Sequence, residues 1–486
     1  MTDRRLEEIA GWTPLLVLAY FAVQFIIRVS LSGNLETDEA QFVGQTYLAL
    51  GYNNSHPPLY NWLVAGALAL TGGYWPAALS LVKNLFLAGT YLLSFDIARR
   101  VTGRALPGLI IVAGFMLLPQ IVWKSQVTLA HSVLVMFAVV AVLHAVVCAV
   151  EQGDLASFLW LGLTAAIGAL AKYNFFLVLA AVAVAAGSIP SMRARLFTPR
   201  LGWSLAILAA AMTPHYLWAL QNLGQTTARM AKLDRENSVF VSIDIPFIGV
   251  DGFLSLAVSL AAWTAPLLAA WFAIRHFSSG TAERDDPASE RIQTYAHFFA
   301  RTTLIAVGVF AAIVLLGDLH SVRERYLTPM LMPLPFWLAF AWPLETRLRA
   351  PVHFLRLSGA IAVLMVTAWP AWMLLGKDQF AYPYQAFTQA LDAAAPGPFA
   401  VLGPHDKYGA NIAARLERAQ RWEEGSGAGQ VVVLWEPKPG RSPNGLAARL
   451  DGGFEPRGPV IAMEAPYENL SGQEAQLNAQ LYARKP

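Results

Sequence analysis

The chain has 486 residues, 56% of them hydrophobic and only 14% charged, with a formal net charge of +3. A water-soluble protein of this length would be about one quarter charged and would divide into two or three domains, so a soluble fold is excluded for most of the chain. The lone cysteine, Cys148, excludes an intramolecular disulfide and a cysteine metal site, and the small net charge gives no ground for nucleic acid as a partner.

Apolar runs of the length needed to cross a bilayer recur along the chain, at 11–31, 76–98, 105–119, 128–149, 156–171, 174–190, 201–218, 250–274, 302–317, 327–344 and 353–375. The fold class expected is a polytopic α-helical membrane protein of about eleven spans. Cations fix its orientation. With Arg4 and Arg5 cytoplasmic, the inside loops carry Arg99, Arg100, Arg104, Arg193, Arg195, Arg200, Arg275, Arg284, Arg291, Arg347, Arg349 and Arg356, and the outside loops fewer. The first span reads as a retained signal anchor, and the chain after about 376 lies outside.

The first outside segment, 32–75, opens with Glu36-Thr37-Asp38-Glu39, three carboxylates at a membrane face in a chain poor in charge. Such groups are costly to keep there and generally have a role; a solvated loop, or Asp38 capping a short helix, is the bland alternative. Next comes His56-Pro57-Pro58-Leu59-Tyr60. The two prolines suit the first turn of a helix, and the short apolar stretch to Leu70, stopped by Gly72-Gly73, suits a helix lying in the interface with Tyr60, Trp62, Tyr74 and Trp75 at headgroup level.

Further along, His131 stands one turn into a span, and Lys172 and Tyr173 mark an outer turn. A long polar outer segment at 219–248 is suited to a lid or substrate-binding element. A Ser/Gly/Asp-rich cytoplasmic linker at 277–291 divides a front module, about 1–220, from a back module, about 249–376. The outer stretch Asp318–Tyr326 brings His320, Arg323, Arg325 and Tyr326. Cations beside aromatics on the side that should be poor in positive charge suit phosphate binding, against the alternative of snorkelling to lipid headgroups. Residues 377–486 have a soluble composition, with strands expected at 398–402, 430–435 and 459–465 and a helix at 407–418, a small external α/β domain.

No Walker-type loop, His-Glu-x-x-His motif or Gly-x-Ser-x-Gly elbow is present, which removes support for ATP drive, a zinc protease and a serine esterase. A transporter or flippase is the rival from another class, but neither paired halves nor midplane carboxylates are seen. A non-catalytic assembly subunit is a third reading.

In order and spacing, Thr37-Asp38-Glu39-Ala40, His56-Pro57-Pro58-Leu59-Tyr60, Lys172-Tyr173 and Arg325-Tyr326-Leu327 resemble the landmarks of the bacterial GT-C glycosyltransferases. The group most similar is the protein-mannosyltransferase-like superfamily, glycosyltransferase family 39 and its relatives, which includes the lipid A aminoarabinose transferases. The resemblance covers roughly residues 10–345. It implies inverting transfer of a sugar from a polyprenyl-phosphate donor to a hydroxyl of an envelope glycan, glycolipid or lipopolysaccharide at the outer face of the inner membrane, with protein O-glycosylation as the alternative within the fold. Asp38 would be the catalytic carboxylate, with Glu39 beside it. Lys172, Arg323, Arg325 and Tyr326 would hold the donor phosphate, and His56, Tyr60, Tyr173, His131 and His320 are candidate substrate contacts. No cofactor is required on this reading, and a divalent ion is left open. Relatives often carry an acidic residue at the start of the span near 128, where this chain has Ala130-His131-Ser132.

Overall fold

All of the predicted apolar stretches hold helices. The computed structural model describes residues 3–52, 56–227, 250–278, 289–317, 319, 322–347, 349–376, 379–423, 427–437, 443–450 and 453–485. Most of the expected outer segment 219–248, much of the linker 277–291, and His320 lie outside the described residues.

Among the described residues, 6 helices are long and apolar enough to cross a membrane, and up to 9 if each of three bent pairs counts as one span. That makes this a multi-pass membrane protein, but the count of eleven is not reached on length and composition. The bent pairs explain part of the difference: Leu106–Phe115 with Gln120–Val127 turns by 75°, Phe175–Gly187 with Pro190–Leu196 by 111°, and Glu324–Leu331 with Leu334–Thr346 by 46°. Pro119, Pro190 and Pro333 stand at the breaks, where a missing amide donor and a fixed φ end a helix. The two stretches left over are Leu155–Ala169, only 15 residues long, and Leu201–Gln221, a continuous helix of 21 residues with Pro214 inside it.

The chain divides into two compact units. The first contains Met1–Val23, Ala49–Tyr60 and Lys83–Met365. Its central helix is Ala130–Glu151, buried along nearly its whole length. Repeated Ala and Val on this helix let neighbours approach from several sides, and Leu155–Ala169 and Phe175–Gly187 pack against it.

The second unit contains Gln24–Leu48, Asn61–Val82 and Val366–Pro486. It carries a five-stranded sheet of β1 (Phe399–Leu402), β2 (Ala419–Arg421), β3 (Gln430–Trp435), β4 (Phe454–Pro466) and β5 (Glu474–Arg484), in the order β2-β1-β3-β5-β4. β2, β1 and β3 are parallel; β5 runs antiparallel to both β3 and β4. Alternation assigns each face its own core. Phe399, Val401, Val432, Leu434, Leu477 and Ala479 pack with Tyr384, Phe387, Leu391, Tyr408 and Ile412 of the helices Tyr384–Ala394 and Asp406–Ala413. Ala400, Leu402, Val431, Val433 and Trp435 pack with Leu450 and Tyr482 on the other face. A central parallel strand covered on both sides is buried throughout, as β1 is. The acidic segment Glu36–Glu39 belongs to this second unit and folds with the sheet domain.

Candidate active site

The helix Thr13–Leu31 ends with Arg28 in its last turn, where a cation suits the negative end of the helix and its orphan carbonyls. The Arg28 guanidinium donates to the carbonyls of Ser32 at 2.9 Å and Asn34 at 2.6 Å, and to Glu39 Oε2 at 2.8 Å. Both partners of this ion pair are buried, Arg28 at 2% and Glu39 at 1% exposure. Arg28 also lies over the Phe380 ring, 4.7 Å from its centroid. Thus the first span is tied to the acidic segment by a fully desolvated charge pair.

That segment forms one short helix, Thr37–Ala40, closed by a capping box. The Glu36 carboxylate accepts from the Asp38 amide at 2.7 Å, and Glu39 Oε2 accepts from the Glu36 amide at 3.1 Å, so two orphan donors are satisfied reciprocally. The cap is Glu36 and not Asp38, the cap that the sequence alone suggests. The carboxylates therefore differ in kind: Glu36 and Glu39 are buried in the architecture of the turn, and Asp38 is half-buried.

Burial, and next the Asp38 charge, push the Glu36 carboxyl above its ordinary 4.5. The sign follows from linkage. A raised folded-state value means the folded protein binds a proton more tightly, so the contribution to stability is greatest below pH 4.5 and is lost as pH rises through the folded value. Glu36→Gln keeps an oxygen to accept from the Asp38 amide and removes the charge. Its thermal midpoint relative to the parent is expected to be higher at pH 7 than at pH 4; a difference independent of pH contradicts this account.

In the first unit His56, Tyr60, His131 and Lys172 come together. The His56 and His131 rings lie 4.2 Å apart between centroids, and Tyr60 lies 5.1 Å from His131; all three are buried. The Pro57-Pro58 pair starts a helix at Leu59, as expected, and the Leu59 amide donates to the Leu170 carbonyl at 3.2 Å. This joins the segment at 56–60 to the turn carrying Lys172. Lys172 Nζ donates to Ser132 Oγ at 3.0 Å, beside His131. The helix bearing His131 and Ser132 starts after Leu129, a non-glycine residue in the left-handed region (φ 61, ψ 34). Such backbone strain costs about 1–3 kcal/mol and concentrates at functional sites.

The turn after Leu155–Ala169 needs Gly168: a Cβ there would lie 2.2 Å from the Phe175 ring. With that ring in place Lys172, Tyr173 and Asn174 are presented together. The Tyr173 hydroxyl donates to His215 Nε2 at 3.1 Å, since His215 Nδ1–H donates to the Leu50 carbonyl at 2.6 Å and that carbonyl can only accept. Burial pushes the Tyr173 phenol up to about 12, so it stays a donor. Asn174 Nδ2 donates to the Tyr326 carbonyl at 3.3 Å, which joins the third candidate segment. There Ser255 and Ser259 fix the Val322 carbonyl at 3.1 and 2.7 Å. Arg323 follows, exposed, and the Arg325 guanidinium lies 5.5 Å from the Tyr326 ring.

Three residues were passed over by sequence reasoning. Arg28 was hidden at the end of an apolar span. His215, beside Pro214 in an apolar stretch, is the acceptor for Tyr173. Lys83, 2% exposed, donates to the Gln126 carbonyl at 3.0 Å, just before the strained Leu129 turn. An isolated lysine inside the apolar stretch 76–98 was the available signal. Among the described residues no three His, Cys, Asp or Glu side chains are grouped to hold a metal ion.

Residues 55–218, which include His56, Tyr60, His131, Lys172 and Tyr173, match the family model described as dolichyl-phosphate-mannose-protein mannosyltransferase. The chain is 32% identical over 339 residues to the lipopolysaccharide core galacturonosyltransferase RgtB of Rhizobium johnstonii, covering 69% of this chain and 66% of that protein. It is 29% identical over 329 residues to RgtA of the same organism, described by the same activity, with 66% and 63% covered. The chain thus spans slightly under two thirds of each of these relatives. Among solved structures, ArnT from Cupriavidus metallidurans bound to undecaprenyl phosphate superposes with a TM-score of 0.59 over 96% of this chain and 98% of that one, at 12% identity, a likeness of fold. The chain is thus similar in sequence to these two transferases and in fold to ArnT.

Proposed function

We propose that the protein transfers a sugar, with inversion, from a polyprenyl-phosphate donor to a hydroxyl of an envelope glycan, at the outer face of the inner membrane and with the C-terminal domain outside. The sequence likeness to two lipopolysaccharide core galacturonosyltransferases favours a uronic acid as the sugar and lipopolysaccharide core as the acceptor. The observation that carries the reading is the meeting of His56, Tyr60, Ser132 and Lys172 at the strained helix start that bears His131. A helix N-terminus with a lysine beside it favours an anion such as a lipid phosphate.

In the proposed step the acceptor oxygen forms a bond to the anomeric carbon while the bond from that carbon to the phosphate oxygen breaks. The electron pair leaves on the polyprenyl phosphate, and the acceptor proton passes to the Asp38 carboxylate. Lys172, Arg323 and Arg325, and the buried Lys83, are the cations suited to stabilise the charge gained by the leaving phosphate. Tyr173, Tyr326, His56 and His131 are donors and ring surfaces suited to the sugar and the phosphate.

Lys172→Met keeps the aliphatic stem and removes the charge. The affinity for undecaprenyl phosphate is expected to fall about tenfold, the worth of one charge-assisted hydrogen bond. Titration of the purified full-length protein in detergent with that lipid measures it; unchanged affinity removes Lys172 from the phosphate site.

A further inference from the structure

We infer that the C-terminal domain acts as a clamp for the acidic helix, with Asn411 and Arg415 as positioning residues for Asp38. This rests on the proposed role of Asp38. Residues 32–35 are held by side-chain hydrogen bonds to and from the C-terminal domain. The Leu35 amide donates to Asn411 Oδ1 at 2.8 Å, and Asn411 Nδ2 donates back to the Leu35 carbonyl at 2.9 Å. Both residues are fully buried, so the primary amide reproduces a peptide's donor and acceptor in a site without water. Asn34 Nδ2 donates to the carbonyls of Phe380 at 3.0 Å and Tyr382 at 2.7 Å, and its Oδ1 accepts from Arg415 at 2.5 Å. Ser32 Oγ donates to the Phe380 carbonyl at 2.5 Å.

These bonds end one residue before Glu36, the cap of the helix that carries Asp38. At the other end Gln41 Nε2 donates to the Asp38 carbonyl at 2.7 Å, and Arg421 of β2 donates to the Gln41 carbonyl at 3.5 Å. The short helix is thereby held on both sides by residues between Phe380 and Arg421. A four-residue helix has too few internal hydrogen bonds to fix its own position, so its placement comes from this frame. Nothing in the frame requires the sheet domain to bind substrate itself.

The test uses the full-length protein, radiolabelled undecaprenyl-phosphate-linked galacturonic acid as donor and lipopolysaccharide core as acceptor. Asn411→Ala is expected to lower kcat per folded molecule about 100-fold, the scale for a reacting group displaced by about 1 Å, with the donor KM unchanged. Amide exchange over residues 33–42 is expected to accelerate in the same variant. If Asn411→Ala does not fold, Arg415→Met, which keeps the stem over the Tyr384 ring, is expected to show the same pattern to a smaller degree. A folded variant with lower thermal stability but parental kcat and parental exchange at 33–42 overturns the inference. Asp38→Asn assayed alongside separates the two claims: retention of transfer there defeats the role of Asp38, and the exchange data still decide whether the clamp exists.

Discussion

Asp38→Asn is expected to reduce sugar transfer by about 100- to 10,000-fold, the usual worth of a positioned general base, while the protein folds and binds undecaprenyl phosphate as before. The reason lies in how the acidic turn is built. The capping box uses the side chains of Glu36 and Glu39, while the Asp38 amide donates to Glu36 and its carbonyl accepts from Gln41. Changing the Asp38 carboxylate to an amide leaves that main-chain frame intact and removes the proton acceptor. Turnover against donor and acceptor concentration, with lipid binding measured separately, distinguishes loss of chemistry from loss of affinity. Near-parental turnover would remove Asp38 from the mechanism.

Arg28→Met is expected to be the most destabilising single change in the acidic turn. Breaking a buried ion pair from one side leaves the other charge without compensation and costs about 3–5 kcal/mol. Here the partner left behind is Glu39, 1% exposed, and the Ser32 and Asn34 carbonyls lose their donors as well. The double variant Arg28→Met with Glu39→Gln removes both charges, and its thermal midpoint is expected to recover part of the loss. Equal midpoints for the parent and Arg28→Met contradict the reading that this pair holds the turn to the end of the first span.

These two variants also separate the roles within the acidic run. Sequence alone marks three carboxylates at a membrane face, and a helper role for Glu39 is a fair reading of adjacency. Adjacency does not say which side chain turns inward. That depends on a helix phase of only four residues and on Arg28, whose charge is easily read as a snorkelling side chain at the end of a span. The pairing of Glu39 with Arg28 suits it to hold the turn in place.

Much of the fold was legible, for identifiable reasons. Long apolar stretches announce helices, Pro57-Pro58 announces the start at Leu59, and Gln-Val-Val-Val-Leu-Trp at 430–435 announces a buried strand. The number of crossings was less legible, because bends at proline depend on neighbouring helices. β5 was missed: its core residues Ala475, Leu477 and Ala479 alternate correctly, but they are weak strand formers set among Gln and Asn. Of the candidate site, His56, Tyr60 and Lys172 were legible as ordered landmarks; their meeting with His131, which departs from the family pattern, was not, because it depends on how helices far apart in sequence pack. The contribution of Asn411 was not, because nearly 400 residues of sequence separate it from Leu35.

The central claim is transfer from a lipid-linked donor, and one measurement addresses it most directly. Purified full-length protein is incubated with undecaprenyl-phosphate-linked radiolabelled galacturonic acid and lipopolysaccharide core lacking that sugar. The account predicts label in the core glycan and release of one undecaprenyl phosphate per sugar moved, with both signals lost in Asp38→Asn. Absence of labelled core with an active preparation, or equal labelling by the parent and Asp38→Asn, contradicts it.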